Sequence, residues 1–315
     1  QSVEISSTEE IIDDARNGKM FILVDHEDRE NEGDLVIPGQ MATPNAVNFM
    51  ATYGRGLICL ALPSEQIDKL KLPLMAATNS SRHETAFTVS IEAREGVTTG
   101  ISAHDRAKTI SVAINPQVRR EEIATPGHVF PLRAKNGGVL IRAGHTEAGT
   151  DLAKLAGFDP SAVIVEIMND DGTMARRKDL EVFAKKHDLK IGTIADLIHY
   201  RNISEKSIKL IDKTNIKSEY GDFALSAYED TINGEVHIAL VKGDISPEDE
   251  VMVRVQQNNT LQDVMGINEF GSRLSFSQAM KKISDENKGV LLFLSHHETP
   301  QEILSNISFL KDQKR

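Results

Sequence analysis

Short apolar runs bounded by polar turns alternate with longer amphipathic stretches over the first two-thirds of the chain. Runs at 20–24, 35–37, 57–62, 87–93, 129–133 and 162–168 are aliphatic, β-branched and strand-sized. Between and after them the spacing predicts helices over 46–53, 104–114, 147–156, 179–187 and 194–201. Thr43-Pro44, Ser102 and Thr146 mark three helix starts by placing a cap oxygen before a first-turn signal, and Gly157 closes the third of these helices. Over 204–217 the chain is polar and lysine-rich without long periodicity, and the linker is placed there. Strands restart at 223–228, 236–241 and 250–255, followed by a helix over 276–286 and a strand at 290–294. A last helix is opened by Thr299-Pro300 with Glu302 in its first turn. The first part therefore reads as a layered α/β or α+β domain and the second as a smaller α/β unit.

Composition narrows the function classes. The 315 residues, 40% hydrophobic and 26% charged, suffice for two cores. With 36 basic and 47 acidic side chains the formal balance is −11, which argues against non-specific nucleic-acid binding. A phosphorylated substrate would need local basic groups or a bridging cation. Residues 218–315 hold nine basic and sixteen acidic residues, so most of the negative charge sits in the smaller part. No apolar run reaches the roughly 18–20 residues of a membrane span, and no membrane association is expected. Cys59, the single cysteine, permits neither an internal disulfide nor a thiol zinc cluster. Without a basic-then-apolar leader the cytoplasm is the expected location, although the opening Gln1 also fits a processed or trimmed amino terminus.

Candidate chemistry concentrates in a few places. Residues 25–34 carry six carboxylates in ten positions, directly after a predicted strand. They are either a solvated acidic loop or, since Asp34 leads into Leu35-Val36-Ile37, carboxylates held against a strand edge. Packed carboxylates raise each other's pKa unless a hard cation or basic partner joins them, and Mg²⁺ uses one or two such oxygens. Arg142-Ala143-Gly144-His145-Thr146-Glu147 is either an ordinary helix start or a phosphate seat, with His145 available to a metal or a proton. Thr125-Pro126-Gly127-His128 presents a turn histidine ahead of a strand, and Gly96-Val97-Thr98-Thr99-Gly100 with Asp105-Arg106 is a turn of similar character. Glu166 interrupts an apolar strand on a face that should be buried, which suits either acid-base work or a structural ion pair.

Taken together, Asp28-Arg29-Glu30-Asn31-Glu32-Gly33-Asp34-Leu35, the Gly96 to Gly100 and Asp105-Arg106 segments, Thr125 to Arg133 and Arg142 to Ala148 resemble the signature stretches of 3,4-dihydroxy-2-butanone 4-phosphate synthases. The resemblance spans about residues 1–203 and implies an α+β protein whose synthase domain is a layered α/β/α sandwich. It implies conversion of D-ribulose 5-phosphate to L-3,4-dihydroxy-2-butanone 4-phosphate and formate in riboflavin biosynthesis, by metal-assisted enediolate chemistry with Mg²⁺ or Mn²⁺. By position Glu30 and His145 match metal ligands, and His128 and Glu166 match residues needed for catalysis. Arg29, Glu30, Asp34, Thr99, Asp105, Glu166 and the run Arg142, Ala143, Gly144, His145 and Thr146 match substrate contacts. Cys59 falls near a position where the family often has cysteine, and its own context reads as a buried strand thiol. The family is homodimeric with sites near the subunit interface, so a homodimer is expected.

Residues 218–315 resemble the opening of GTP cyclohydrolase II, on Tyr220-Gly221-Asp222-Phe223, the run 236–245 and the strand 251–255. That family's zinc is held by three cysteines, whose positions align here with Asn259, Phe270 and Ser272, so no zinc is expected. The domain then reads as a truncated, inactive remnant, as a non-catalytic ligand- or partner-binding module, or as part of a bifunctional enzyme keeping cyclohydrolase activity by an unusual route. Adjacent His296 and His297, before Glu298, point to opposite faces of an extended segment, which argues against a replacement metal site.

Overall fold

The structure, a computed structural model, describes residues 4–313, in two compact units that divide between Glu205 and Lys206. In the first unit the described strands are β1 (Phe21–Val24), β2 (Gly33–Pro38), β3 (Cys59–Pro63), β4 (Ile91–Ala93), β5 (Ile123–Ala134), β6 (Ala162–Glu166) and β7 (Ile191–Thr193). They form one sheet in the order β4-β5-β3-β6-β2-β1-β7, parallel at β3–β5 and β1–β7 and antiparallel elsewhere. Helices α1 (Thr8–Arg16), α2 (Pro44–Phe49), α3 (Ser64–Lys69), α4 (Ala103–Ala113), α5 (His145–Leu155), α6 (Arg177–His187) and α7 (Ile194–Ser204) cover its two faces.

Period-two alternation builds two cores from one set of strands. Phe21, Leu23, Val36 and Ile164 join Ile11 of α1, Leu152 of α5 and Leu197 of α7 on one face. Ile22, Leu35, Val163 and Val165 join Val47 of α2, Ile67 of α3, Ile110 of α4 and Leu180 of α6 on the other. The first unit is thus the layered α/β/α sandwich that the resemblance implies, with central strands buried on both sides.

The second unit has strands β8 (Ile208–Ser218), β9 (Gly221–Asp230), β10 (Val236–Lys242), β11 (Val253–Gln257) and β12 (Gly289–Leu294), in the order β11-β12-β10-β9-β8. Helix α8 (Phe276–Glu286) packs Ala279, Met280 and Ile283 on Phe223, Leu240 and Leu291 of the sheet, and α9 (Pro300–Asp312) follows. So small a core has no redundancy. Ile283→Ala is expected to destabilise this unit by ~2–5 kcal/mol, read as an earlier melting transition.

Several elements differ from the sequence reading. The linker expected at 204–217 is mostly strand: β8 pairs along its length with β9, and α7 runs on to Ser204. Exposure along nearly the whole of β8 removes the one-sided apolar pattern that marks a strand, and its lysines suit a sheet edge. Thr146 is not a cap, because α5 starts one residue before it with Gly144 at the N-cap. The helix expected over 46–53 is α2 followed by a wider turn at Met50–Gly54. Asp34 lies inside a central strand rather than against an edge.

Candidate active site

The α5 face of the sheet changes from apolar to acidic at one end. Along β2 the side chain two places before Val36 is Asp34, and along β6 the one two places after Ile164 is Glu166. Asp34 and Glu166 are register partners in the β2–β6 pair, so the carboxylates meet on one rung. Against this rung α5 sets its first residue, His145, with Nε2 3.2 Å from Leu23 O and 3.8 Å from Asp34 Oδ1. Glu30, Asp34, Cys59, Arg142, His145, Thr146, Ile164 and Glu166 line a cavity of about 80 Å³.

The acidic loop is folded back onto this rung by Asp25. One of its oxygens accepts from Glu30 N (2.9 Å) and Arg29 Nη1 (3.1 Å), and the other accepts from Glu32 N (2.9 Å). Ligand atoms of Asp25, Glu30 and His145 thereby fall within 4.8 Å of one another. Arg29 Nη1 also lies 2.6 Å from Glu30 Oε1. Glu166 is fixed by Leu57 N–H, 2.9 Å from Oε2.

Crowded carboxylates shift one another. Burial first, then the neighbouring Glu166, Glu30, Glu32 and Asp25, push Asp34 well above the usual carboxylate range. Burial, Glu30 and Glu166 push Glu32 to about 7. Burial would also raise Asp25, yet His145 and the N–H donors of Glu32, Glu30 and Arg29 outweigh it and bring it below its ordinary value. The Cys59 thiol is driven well up by burial and by Glu166 and Asp34, which favours its protonated form. Asp34 Oδ1 is buried without a hydrogen-bond partner. An orphaned carboxylate oxygen beside two carboxylates and an imidazole fits a hard divalent cation, which takes oxygen-rich donor sets.

Beside the acids lies a cationic seat. A Cβ on Gly144 would meet Arg142 Nη1, Arg29 Nη2 and Glu147 Oε1, so two guanidiniums and a carboxylate flank the N-cap of α5. Helix-start N–H groups and guanidiniums are donors of the kind that receive an anion, although here Arg29 is paired with Asp25 and Glu30. Arg142 is held there by buried Glu147 (2.6 Å to Oε1) and by His83 O (2.9 Å).

Residues 9–200 match the family described as 3,4-dihydroxy-2-butanone 4-phosphate synthase. The chain belongs to the 3,4-dihydroxy-2-butanone 4-phosphate synthase family. Residues 209–315 match GTP cyclohydrolase II, so a synthase domain is followed by a cyclohydrolase II-like one. The 3,4-dihydroxy-2-butanone 4-phosphate synthase of Photobacterium phosphoreum is 53% identical over 306 residues, covering 97% of this chain and 84% of that protein. The riboflavin biosynthesis protein RibBA of Aquifex aeolicus is 48% identical, covering 95% and 74%. Among solved structures, RibBX, a two-domain 3,4-dihydroxy-2-butanone 4-phosphate synthase from A. baumannii, superposes with a TM-score of 0.81 at 45% identity, covering 98% and 87%. A synthase crystallised with two magnesium ions gives 0.61 at 39% identity, covering 64% of this chain and 98% of that one.

Measured against this family's signature, the structure divides the residues named from sequence. Arg29, Glu30, Asp34, Arg142, Ala143, Gly144, His145, Thr146 and Glu166 gather at the acidic rung and the start of α5. Thr99, Asp105 and His128 do not line that cavity. Asp105 caps a separate turn, accepting from Thr98 N, Thr98 Oγ1 and Gly100 N, and His128 Nδ1 lies 2.6 Å from Glu92 Oε2. Sequence reasoning missed Asp25 and Glu147; acidic position alone did not separate Asp25 from its five carboxylate neighbours. A larger groove of about 770 Å³ contains none of the named residues, and its Arg201 is already paired with Asp151, Glu205 and Gly137 O.

Among the described residues no helix is long and apolar enough to cross a membrane. His296 pairs with Glu302, while Glu298 accepts from Thr260, so these groups serve different partners. Asn259 caps the turn Thr260–Val264 and Phe270 stacks on Phe309, with ring centroids 6.0 Å apart.

Proposed function

We propose that the first unit converts D-ribulose 5-phosphate to L-3,4-dihydroxy-2-butanone 4-phosphate and formate, with Mg²⁺ or Mn²⁺ held by Glu30, His145 and Asp25. The observation that carries this is the convergence of those three groups beside the orphaned Asp34 oxygen, at the foot of the anion site on α5. When bound, the cation supplies Lewis-acid polarisation of the substrate's carbonyl and hydroxyl oxygens. Arg29, Arg142 and the N–H groups of Gly144 to Thr146 hold the phosphate, and Asp34 orients sugar hydroxyls. Glu166, fixed through Leu57, moves protons at the carbon chain. A homodimer completes the site: the turn with Thr99 and Asp105, and His128 near it, serve the cavity of a second copy. His128 is then a second proton carrier.

The second unit, in this reading, does not open GTP. With Asn259, Phe270 and Ser272 at the positions of the family's zinc cysteines, it lacks the thiolates that would hold that ion, and Asn259 and Phe270 instead cap a turn and stack on Phe309. It serves the synthase as an accessory or binding module.

Incubating the purified chain with ribulose 5-phosphate and Mg²⁺ and following formate by NMR tests both parts. Metal-dependent formate, lost with a chelator, and no ring-opened product from GTP with added zinc are expected. A metal-loaded chain that yields no formate refutes the first part, and turnover of GTP refutes the second.

A further inference from the structure

We propose that Glu92 is a positioning residue for His128, fixing its tautomer so that Nε2 faces outward as a base. This deepens the proposed synthase reaction and rests on its assignment of His128 as a proton carrier.

Three motifs that the metal cavity leaves unused come together around this pair. In the β4–β5 ladder Ile91 pairs with Val129, but the next residue, Glu92, pairs with Ala124. Thr125 to His128 are therefore looped out of register. A bulge of this kind re-aims a side chain, and here it sets His128 Nδ1 2.6 Å from Glu92 Oε2. Ser90 Oγ accepts from Gly127 N (3.0 Å) and secures the loop next to the pair. From the other side comes the Thr98 to Gly100 turn, held by Asp105. Gly100 has φ +95 and a Cβ there would strike the Glu92 carboxylate, so the glycine leaves room for that carboxylate to lie under the turn.

Burial differs sharply across the pair. The Glu92 side chain is 14% exposed and its Oε1 is buried without a partner, whereas the His128 ring is 44% exposed. A largely buried carboxylate joined to an accessible imidazole is an orienting arrangement: Nδ1–H donates to Glu92, and the lone pair of Nε2 is left toward solvent or substrate. When Nε2 takes a proton from a substrate carbon or hydroxyl, the imidazolium is stabilised by Glu92. The same nitrogen returns that proton later in the turnover, so Glu92 remains a carboxylate throughout.

The test compares wild type, Glu92→Gln, Glu92→Asp and His128→Asn. Imidazole nitrogen NMR shifts, assigned with His128→Asn, are expected to show Nδ1 protonated and Nε2 free in the wild type, with this preference lost in Glu92→Gln. Formate release is expected to show kcat lowered about 100-fold or more in Glu92→Gln with KM nearly unchanged, on the scale of losing a histidine's orienting carboxylate. Partial recovery is expected in Glu92→Asp. An Nε2–H tautomer in the wild type overturns the proposal whether or not any variant folds. So does a folded Glu92→Gln with wild-type kcat, or a fully active His128→Asn. If the wild-type chain makes no formate at all, the synthase reading fails, and the NMR arm, which needs no substrate, still decides the Glu92–His128 pairing.

Discussion

Glu30→Gln and His145→Ala are each expected to lower metal-dependent formate release by more than the roughly 10- to 100-fold typical of losing an outer-shell partner, since each removes a ligand itself. The structural cost should be small for Glu30, which lies on the loop, and larger for His145, which is 5% exposed at the start of α5. Activity alone therefore does not separate ligation from folding. The separating measurement is melting temperature with and without Mg²⁺. A cation that binds only the folded chain raises it by mass action, and both variants should lose that rise. A variant that keeps the full rise while losing activity would move the cation to other residues and leave Glu30 or His145 with a role in substrate binding.

Asp34→Asn is expected to do two opposite things. It removes a buried carboxyl that in the metal-free fold must either repel its neighbours as an anion or be held protonated, so the metal-free chain should become more stable at neutral pH by ~1–3 kcal/mol. It should also nearly abolish turnover, as happens where strain is kept for function. The sign of the pH effect follows from the direction of the shifts. Asp34 and Glu32 have folded pKa values above their unfolded ones, with Glu32 at about 7. Between the ordinary carboxylate range and about pH 7 the folded chain binds more protons than the unfolded one, so its stability falls as pH rises. Asp25, shifted down, acts only below its ordinary value and leaves that window untouched. Melting curves in chelator from pH 4 to 8 should slope downward, and Mg²⁺ should flatten them. A wild-type curve that is flat in chelator would mean that the acidic rung is not under repulsion.

Much of the fold was legible because its signals are local. Ser275 with Gln278 and Thr299 with Glu302 are capping boxes readable from sequence, and both open helices where the spacing places them. The same signal at Ser7 and Glu10 opens α1, ahead of the first run that was read as a strand. β8 was hidden for another reason: exposed to solvent along most of its length, it carries no hydrophobic alternation, and only pairing with β9 makes it a strand. Glu166 stood out because one charge interrupts an apolar face. Asp25 did not, since its task depends on a loop curling back so that one carboxylate meets two backbone N–H groups. Glu92 was silent for a similar reason. Its meaning comes from a register shift that brings residues 125–128 beside it, and no pattern within 91–93 announces that shift.

The acidic rung is carried by β2 and β6, neighbours at the centre of the seven-stranded sheet and covered on both faces. Strands in such a place are the last to exchange their amide protons, because no local opening frees them. The groups that define the chemistry are therefore wired into the most cooperative part of the molecule, while Asp25 and Glu30 reach it from a loop. Fraying at the β7 edge leaves the acidic rung whole. Loss of the central strands dismantles the core and the acidic rung together, so release of the rung and unfolding of this unit are one event.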